Sequence, residues 1–98
     1  MIRHIVMWKY KAELSLDDRN TLFEKLSVAA ENMNGSIKGL IKAELIKNVN
    51  PQEKYDLCLY CEFETLEDIN SYQEDPVHIA FKDIIMGNVF DRACIDAI

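Results

Sequence analysis

An α+β fold with a four-stranded antiparallel sheet and helices on one face is what this sequence predicts, in the order β-α-β-β-α-β. Three observations carry the prediction. Two runs, Ile2 to Tyr10 and Tyr55 to Phe63, alternate side chains at a period of two, as strands do. One long segment from about Leu16 to Met33 repeats its apolar residues at helical spacing. A second helical region is broken into two pieces at Glu74-Asp75-Pro76, where proline suits only the start of a new helix.

In the first run, His4, Val6, Trp8 and Tyr10 share one face, and Ile5, Met7 and Lys9 share the other. Both faces are largely apolar, so an interior strand covered on both sides is expected. Ser15-Leu-Asp-Asp18 then reads as a capping box with aspartate in the glutamate position. Leu22, Phe23, Leu26, Ala29, Ala30 and Met33 form the buried stripe of the helix that follows, and Asn34-Gly35 ends it. Gly39 to Asn48 reads as a second strand, with Ile41, Ala43 and Leu45 on one side and Lys42 and Glu44 on the other. Leu40 and Ile46 blur that alternation.

A polar loop with Asn50-Pro51 as its turn leads to the third strand. There Tyr55, Leu57, Leu59, Cys61 and Phe63 share a face, and Asp56, Cys58, Tyr60 and Glu62 share the opposite one. Thr65-Leu-Glu-Asp68 repeats the capping-box pattern and opens a short helix through Leu66, Ile69 and Tyr72. The next helix starts with Asp75 as N-cap and Pro76 at its first position, runs to about Met86 and stops at Gly87-Asn88. Asp91 to Ile98 supplies the last strand. This is the split-βαβ, ferredoxin-like arrangement, with residues 1–98 forming a single domain.

Composition narrows the function. Seventeen acids against eleven bases give a net charge of −6, which repels phosphate backbones and argues against nucleic acid as a partner. No apolar run approaches the roughly 20 residues of a membrane span, so no membrane partner is expected. Three cysteines, with no separable signal segment ahead of the first strand, point to reduced thiols and a cytoplasmic location. Cys58-x-x-Cys61 is not a redox or zinc pair, because residues three apart on a strand point to opposite faces. Neither a metal nor a cofactor is expected; a set of His4, His78 and Asp75 would require the capping aspartate to leave its helix.

The chemistry concentrates on Tyr72-Gln-Glu-Asp-Pro-Val-His78. His78 falls at the third position of its helix, at the edge of the apolar stripe, where the positive end of the helix dipole disfavours imidazolium. A neutral imidazole in a dry pocket can remove a proton alpha to a carbonyl. A Tyr72 hydroxyl bonded to one ring nitrogen would fix the tautomer that leaves the other free, and His4 could stabilise the resulting enolate. If the even-numbered side of the first strand faces the helices, His4, Val6 and Trp8 look toward Leu57, Leu59, Tyr72, His78 and Phe81, an apolar cleft with three polar groups. The bland alternatives stand beside these: His78 as a residue of the helix start, bonded to a carbonyl or a strand residue, His4 as a partly buried strand histidine, and Trp8 and Tyr10 as packing residues.

One-sided helical cover leaves Ile5, Met7, Cys58 and Tyr60 on an open sheet face. That apolar patch is large for a monomer and predicts a homodimer through the face carrying Ile5, Met7 and Tyr60.

Over essentially its whole length the chain resembles the stress-responsive A/B barrel domain family of dimeric α+β barrels. The resemblance rests on Ile2-Arg-His-Ile-Val-Met-Trp-Lys-Tyr10, Tyr55-Asp-Leu-Cys-Leu-Tyr-Cys-Glu-Phe63, Tyr72-x-x-x-Pro76-x-His78-x-x-Phe81, and the terminal-strand Asp96. It departs from the family's pattern at Asp75, Lys38 and Ala97, where a histidine, a proline and an aromatic are usual. The resemblance implies a dimer whose paired sheets approximate a barrel. Most members have no assigned reaction. In one branch, similar to the plant olivetolic acid cyclases, residues at the positions of His78, Tyr72 and His4 act as base, orienting group and pocket lining. Two functions are therefore expected in alternative. One is a binding dimer for a small apolar or aromatic ligand. The other is a cofactor-independent cyclase, isomerase or monooxygenase-like enzyme with His78 as base and Tyr72 orienting it.

Overall fold

The computed structural model of the protein describes residues 1–98. The elements are β1 (Ile2–Tyr10), α1 (Leu16–Met33), β2 (Leu40–Lys47), β3 (Leu57–Phe63), α2 (Leu66–Tyr72), α3 (Pro76–Ile85) and β4 (Val89–Ala97). All neighbouring strands run antiparallel in the order β2-β3-β1-β4, with the helices on one face. The ferredoxin-like α+β fold expected from the sequence is the fold observed.

The caps explain where the helices begin. In α1 the capping box closes in both directions: Asp18 N donates to Ser15 Oγ at 3.1 Å, and Ser15 N donates to Asp18 Oδ2 at 3.4 Å. In α2 it closes in one direction, since Thr65 Oγ1 accepts from Asp68 N while its hydroxyl donates to the Asp68 carboxylate at 2.8 Å. Asp75 caps α3 by accepting from Val77 N at 2.9 Å, with Pro76 at the first helical position. The packed layer between helices and sheet joins Leu26, Ala30 and Met33 of α1 to Leu57, Leu59, Cys61 and Phe63 of β3, with Phe81 and Ile85 of α3.

Three boundaries differ from the sequence expectation. β2 carries a bulge, because Leu40 pairs with Phe63 and Lys42 with Glu62, so Ile41 has no partner. Ile41 is therefore exposed, and Leu40, Ala43 and Leu45 turn inward in its place. β3 begins at Leu57 rather than Tyr55; Asp56 just before it still donates to Trp8 O at 2.9 Å and accepts from Asn48 N at 3.0 Å, and its carboxylate accepts from Tyr10 N at 2.8 Å. β4 starts early, at Val89, and carries a second bulge: Met7 pairs with Ala93 but Lys9 with Phe90. Asp91 absorbs the extra residue in the left-handed region, at φ 55°, a conformation that aspartate tolerates better than most side chains.

Gly39, at φ 79°, brings β2 so close to α2 that an added Cβ would run into the Asp68 side chain. Gly39→Ala should therefore lower unfolding free energy by about 1–3 kcal/mol, from backbone strain together with the clash. Urea denaturation checks this, and an unchanged midpoint would refute it.

Candidate functional site

The even-numbered face of β1 lies beneath the helices, where His4, Val6 and Trp8 are all buried. Across them stand Tyr72, at the end of α2, and His78, in the first turn of α3. Between α3 and the β1–β4 edge of the sheet a cleft of about 510 Å³ opens to solvent. Its walls include His4, Val6, Trp8, Leu59, Tyr72, His78 and Phe81. Seven of the eight residues expected at the site thus meet there. Leu57 is the exception, packed in the core and absent from the cleft wall.

The lining also includes Gln73, Lys82, Ile85, Met86 and the start of β4 from Val89 to Arg92. The sequence reading missed these. Lys82 was legible as the residue one helical turn after His78; the β4 residues were not, because the bulge at Asp91 sets where their side chains point.

Three aromatic rings form the floor. Tyr72 lies against His78 with ring centroids 3.9 Å apart at 38°, and meets His4 edge-on at 5.7 Å and 75°. Phe63 backs Tyr72 at 4.9 Å. The expected hydrogen bond from the Tyr72 hydroxyl to a His78 nitrogen is not the contact made. Burial raises the proton affinity of the Cys61 thiol to about 12 and that of the Tyr72 hydroxyl further still. Neither ionises near neutral pH. Tyr72 packs against the His78 ring at a tilt of 38° and leaves its tautomer open.

His78 is 6% exposed, and its Nδ1 is the only buried side-chain nitrogen or oxygen without a hydrogen-bond partner. Burial keeps it neutral. Desolvation lowers its pKa to about 4, the Gln73 carbonyl opposes that shift without reaching bonding geometry, and Lys82 and His4 add to it. With Nδ1 sealed inside, the edge of the ring that a ligand can reach is the one bearing Nε2.

His4 is held differently. Its Nδ1 lies 2.5 Å from Asp96 Oδ1, directly across the β1–β4 ladder, and 3.7 Å from Cys94 Sγ. A carboxylate on Nδ1 fixes the tautomer and leaves Nε2 as the free atom. The three donor atoms of His4, Cys94 and Asp96 lie within 4.8 Å of one another, the one grouping in the chain that could surround a cation. As arranged it is a hydrogen bond, since two donors on a tetrahedral zinc stand roughly 3.3 Å apart. Cys58 and Cys61 are both free thiols, and Cys61 is buried while Cys58 is only half-buried, in keeping with opposite faces. No helix is long and apolar enough to cross a membrane.

These features define a class: ferredoxin-like α+β proteins with a cleft between helices and sheet. The chain belongs to the stress responsive A/B barrel domain family, whose model matches residues 2–98. No curated protein matches it. Among solved structures it is similar to a dimeric protein of unknown function with a ferredoxin-like fold from Bacteroides fragilis, at 29% identity and TM-score 0.90, covering 97% of this chain and 92% of that one. It is also similar to a family protein from Mesorhizobium loti, at 26% identity and TM-score 0.72, covering 99% and 94%. Hydroxynitrile lyase from Passiflora edulis shares the fold at 14% identity and TM-score 0.75, covering 97% and 89%.

Proposed function

We propose that this protein is a dimer that binds a small, largely apolar or aromatic molecule in the cleft between α3 and the β1–β4 edge. The state of His78 carries the reading. A histidine kept only for packing is normally hydrogen-bonded, because leaving a buried polar atom unpaired costs about 1–3 kcal/mol. Here the imidazole is buried with one nitrogen orphaned and the other turned toward an apolar cleft. A binding group is worth that cost; a structural one is not. The cleft volume suits a small molecule.

A thermal-shift screen of small aromatic and polyketide-like compounds tests this on the wild type and on His78→Ala. A compound at about 100 times its dissociation constant adds about 2.7 kcal/mol, which is several degrees for a domain of this size. The wild type should shift and the variant should not. If no compound stabilises the wild type selectively, and the variant merely melts lower, His78 is structural.

A second reading is favoured by the pairing of a neutral, reachable His78 with a carboxylate-fixed His4 on either side of Tyr72. In a cofactor-independent enzyme of the cyclase, isomerase or monooxygenase-like kind, His78 Nε2 would take a proton alpha to a carbonyl. His4, with its Nδ1–H on Asp96, would present Nε2 as an acceptor to a substrate hydroxyl and would not donate to the enolate oxygen. A hydroxynitrile lyase shares the fold, so the scaffold accommodates an active site.

A further inference from the structure

We propose that the cleft selects small apolar molecules carrying a carboxylate or comparable oxyanion, seated between Lys82 and Arg92 at its mouth. The proposal rests on the cleft being the binding site. Besides the two histidines, three charged side chains line it: Lys82, Asp91 and Arg92. Asp91 is already neutralised, with Lys9 Nζ at 3.1 Å and Lys54 Nζ at 3.4 Å from its Oδ2. Neither Lys82 nor Arg92 takes part in an ion pair, and Asp96 is committed to His4. A chain of net charge −6 thus places two uncompensated cations on either side of one apolar opening.

The β4 register makes this arrangement. Arg92 shares the helix side of the sheet with Cys94 and Asp96 by ordinary alternation, while the extra residue of the bulge lets Asp91 reach lysines on β1 and on the loop before β3. Both cations act on the floor of the cleft. Lys82 disfavours protonation of His78, and Arg92 opposes the rise in the Tyr72 hydroxyl's pKa. A guanidinium pairs with a carboxylate through two parallel hydrogen bonds, while Trp8, Phe81 and Ile85 take the hydrocarbon part. A docked anion would also offset Lys82 and make His78 more basic, so occupancy itself would prepare the base.

The experiment compares trans-cinnamate with its neutral amide by calorimetry and by NMR of the two imidazoles. Wild type, Lys82→Gln, Arg92→Gln and the double variant are used; both side chains are exposed, so folding is preserved. Cinnamate should bind wild type about ten-fold or more tightly than the amide, and both should shift the His4 and His78 signals. In the double variant the difference should vanish with the amide unaffected. Equal binding of acid and amide, with both histidines shifted, overturns the anion preference and leaves the cleft reading intact. A preference that survives in the double variant overturns the assignment to Lys82 and Arg92. If neither compound perturbs the histidines, both the preference and the cleft reading fail.

Discussion

Ile5→Asp is expected to halve the mass of the protein in solution. On the open face of the sheet, Ile5 lies opposite Tyr60 on one side and Ile95 on the other, and Met7 opposite Cys58 and Ala93. Ile46 extends the patch on β2. Charged groups are confined to the fringe, where Lys42 pairs with Glu44 at 3.4 Å and Tyr60 donates to Glu62 at 2.7 Å. At roughly 25 cal/mol per Å², several hundred Å² of apolar surface buried between two copies is worth many kcal/mol. A carboxylate at the centre of that contact would be desolvated without a partner, at a cost of several kcal/mol. The similar Bacteroides fragilis protein is dimeric, which supports pairing here. Light scattering should give a dimer for wild type, a monomer for Ile5→Asp, and a dimer for Val28→Asp, which alters an exposed residue of α1. A dimeric Ile5→Asp, or a monomeric wild type, would place the interface elsewhere or remove it.

What the sequence made legible was whatever depends on neighbours along the chain. The limits of α1 followed from Ser15 and Asn34, the start of α3 from Asp75-Pro76, and the two residue sets of β1 from strict alternation, though not which set meets the helices. What stayed hidden depends on partners distant in sequence. Ile41 was grouped with Ala43 and Leu45 because its own strand alternates, yet the register against Glu62 and Phe63 leaves it unpaired and exposed. Tyr55 and Asp56 continue the alternation of β3, yet the regular strand starts at Leu57, and the Asp56 carboxylate is spent on Tyr10 N of the neighbouring strand. At the site, Tyr72 and His78 lie together as their spacing suggested, but they meet ring against ring at 38° and not through the hydroxyl. The cationic mouth was invisible for the same reason, since Asp91 cancels only against Lys9 and Lys54 once the bulge has formed.

The burial of His78 should also make the protein acid-sensitive in a defined window. In the folded chain its pKa is lowered from 6.5 to about 4. Between those values the unfolded chain binds a proton that the folded chain refuses, so stability rises with pH there. The contribution is fully present above 6.5 and is lost as pH falls toward 4. The groups that set it are Lys82 and His4, which disfavour imidazolium, and Asp75 and the Gln73 carbonyl, which favour it. With allowance for solvent reaching the ring edge that faces the cleft, moving from pH 7.5 to 5 should cost roughly 1–2 kcal/mol through this group. His78→Leu removes the titration while keeping an apolar side chain against Tyr72. Denaturant titrations at both pH values should therefore show wild type losing that much more stability than the variant, the carboxylates common to both cancelling in the difference. Parallel losses would mean that His78 protonates freely in the folded protein. In that case its ring would not be the neutral, desolvated group on which both ligand binding and proton abstraction in this cleft depend.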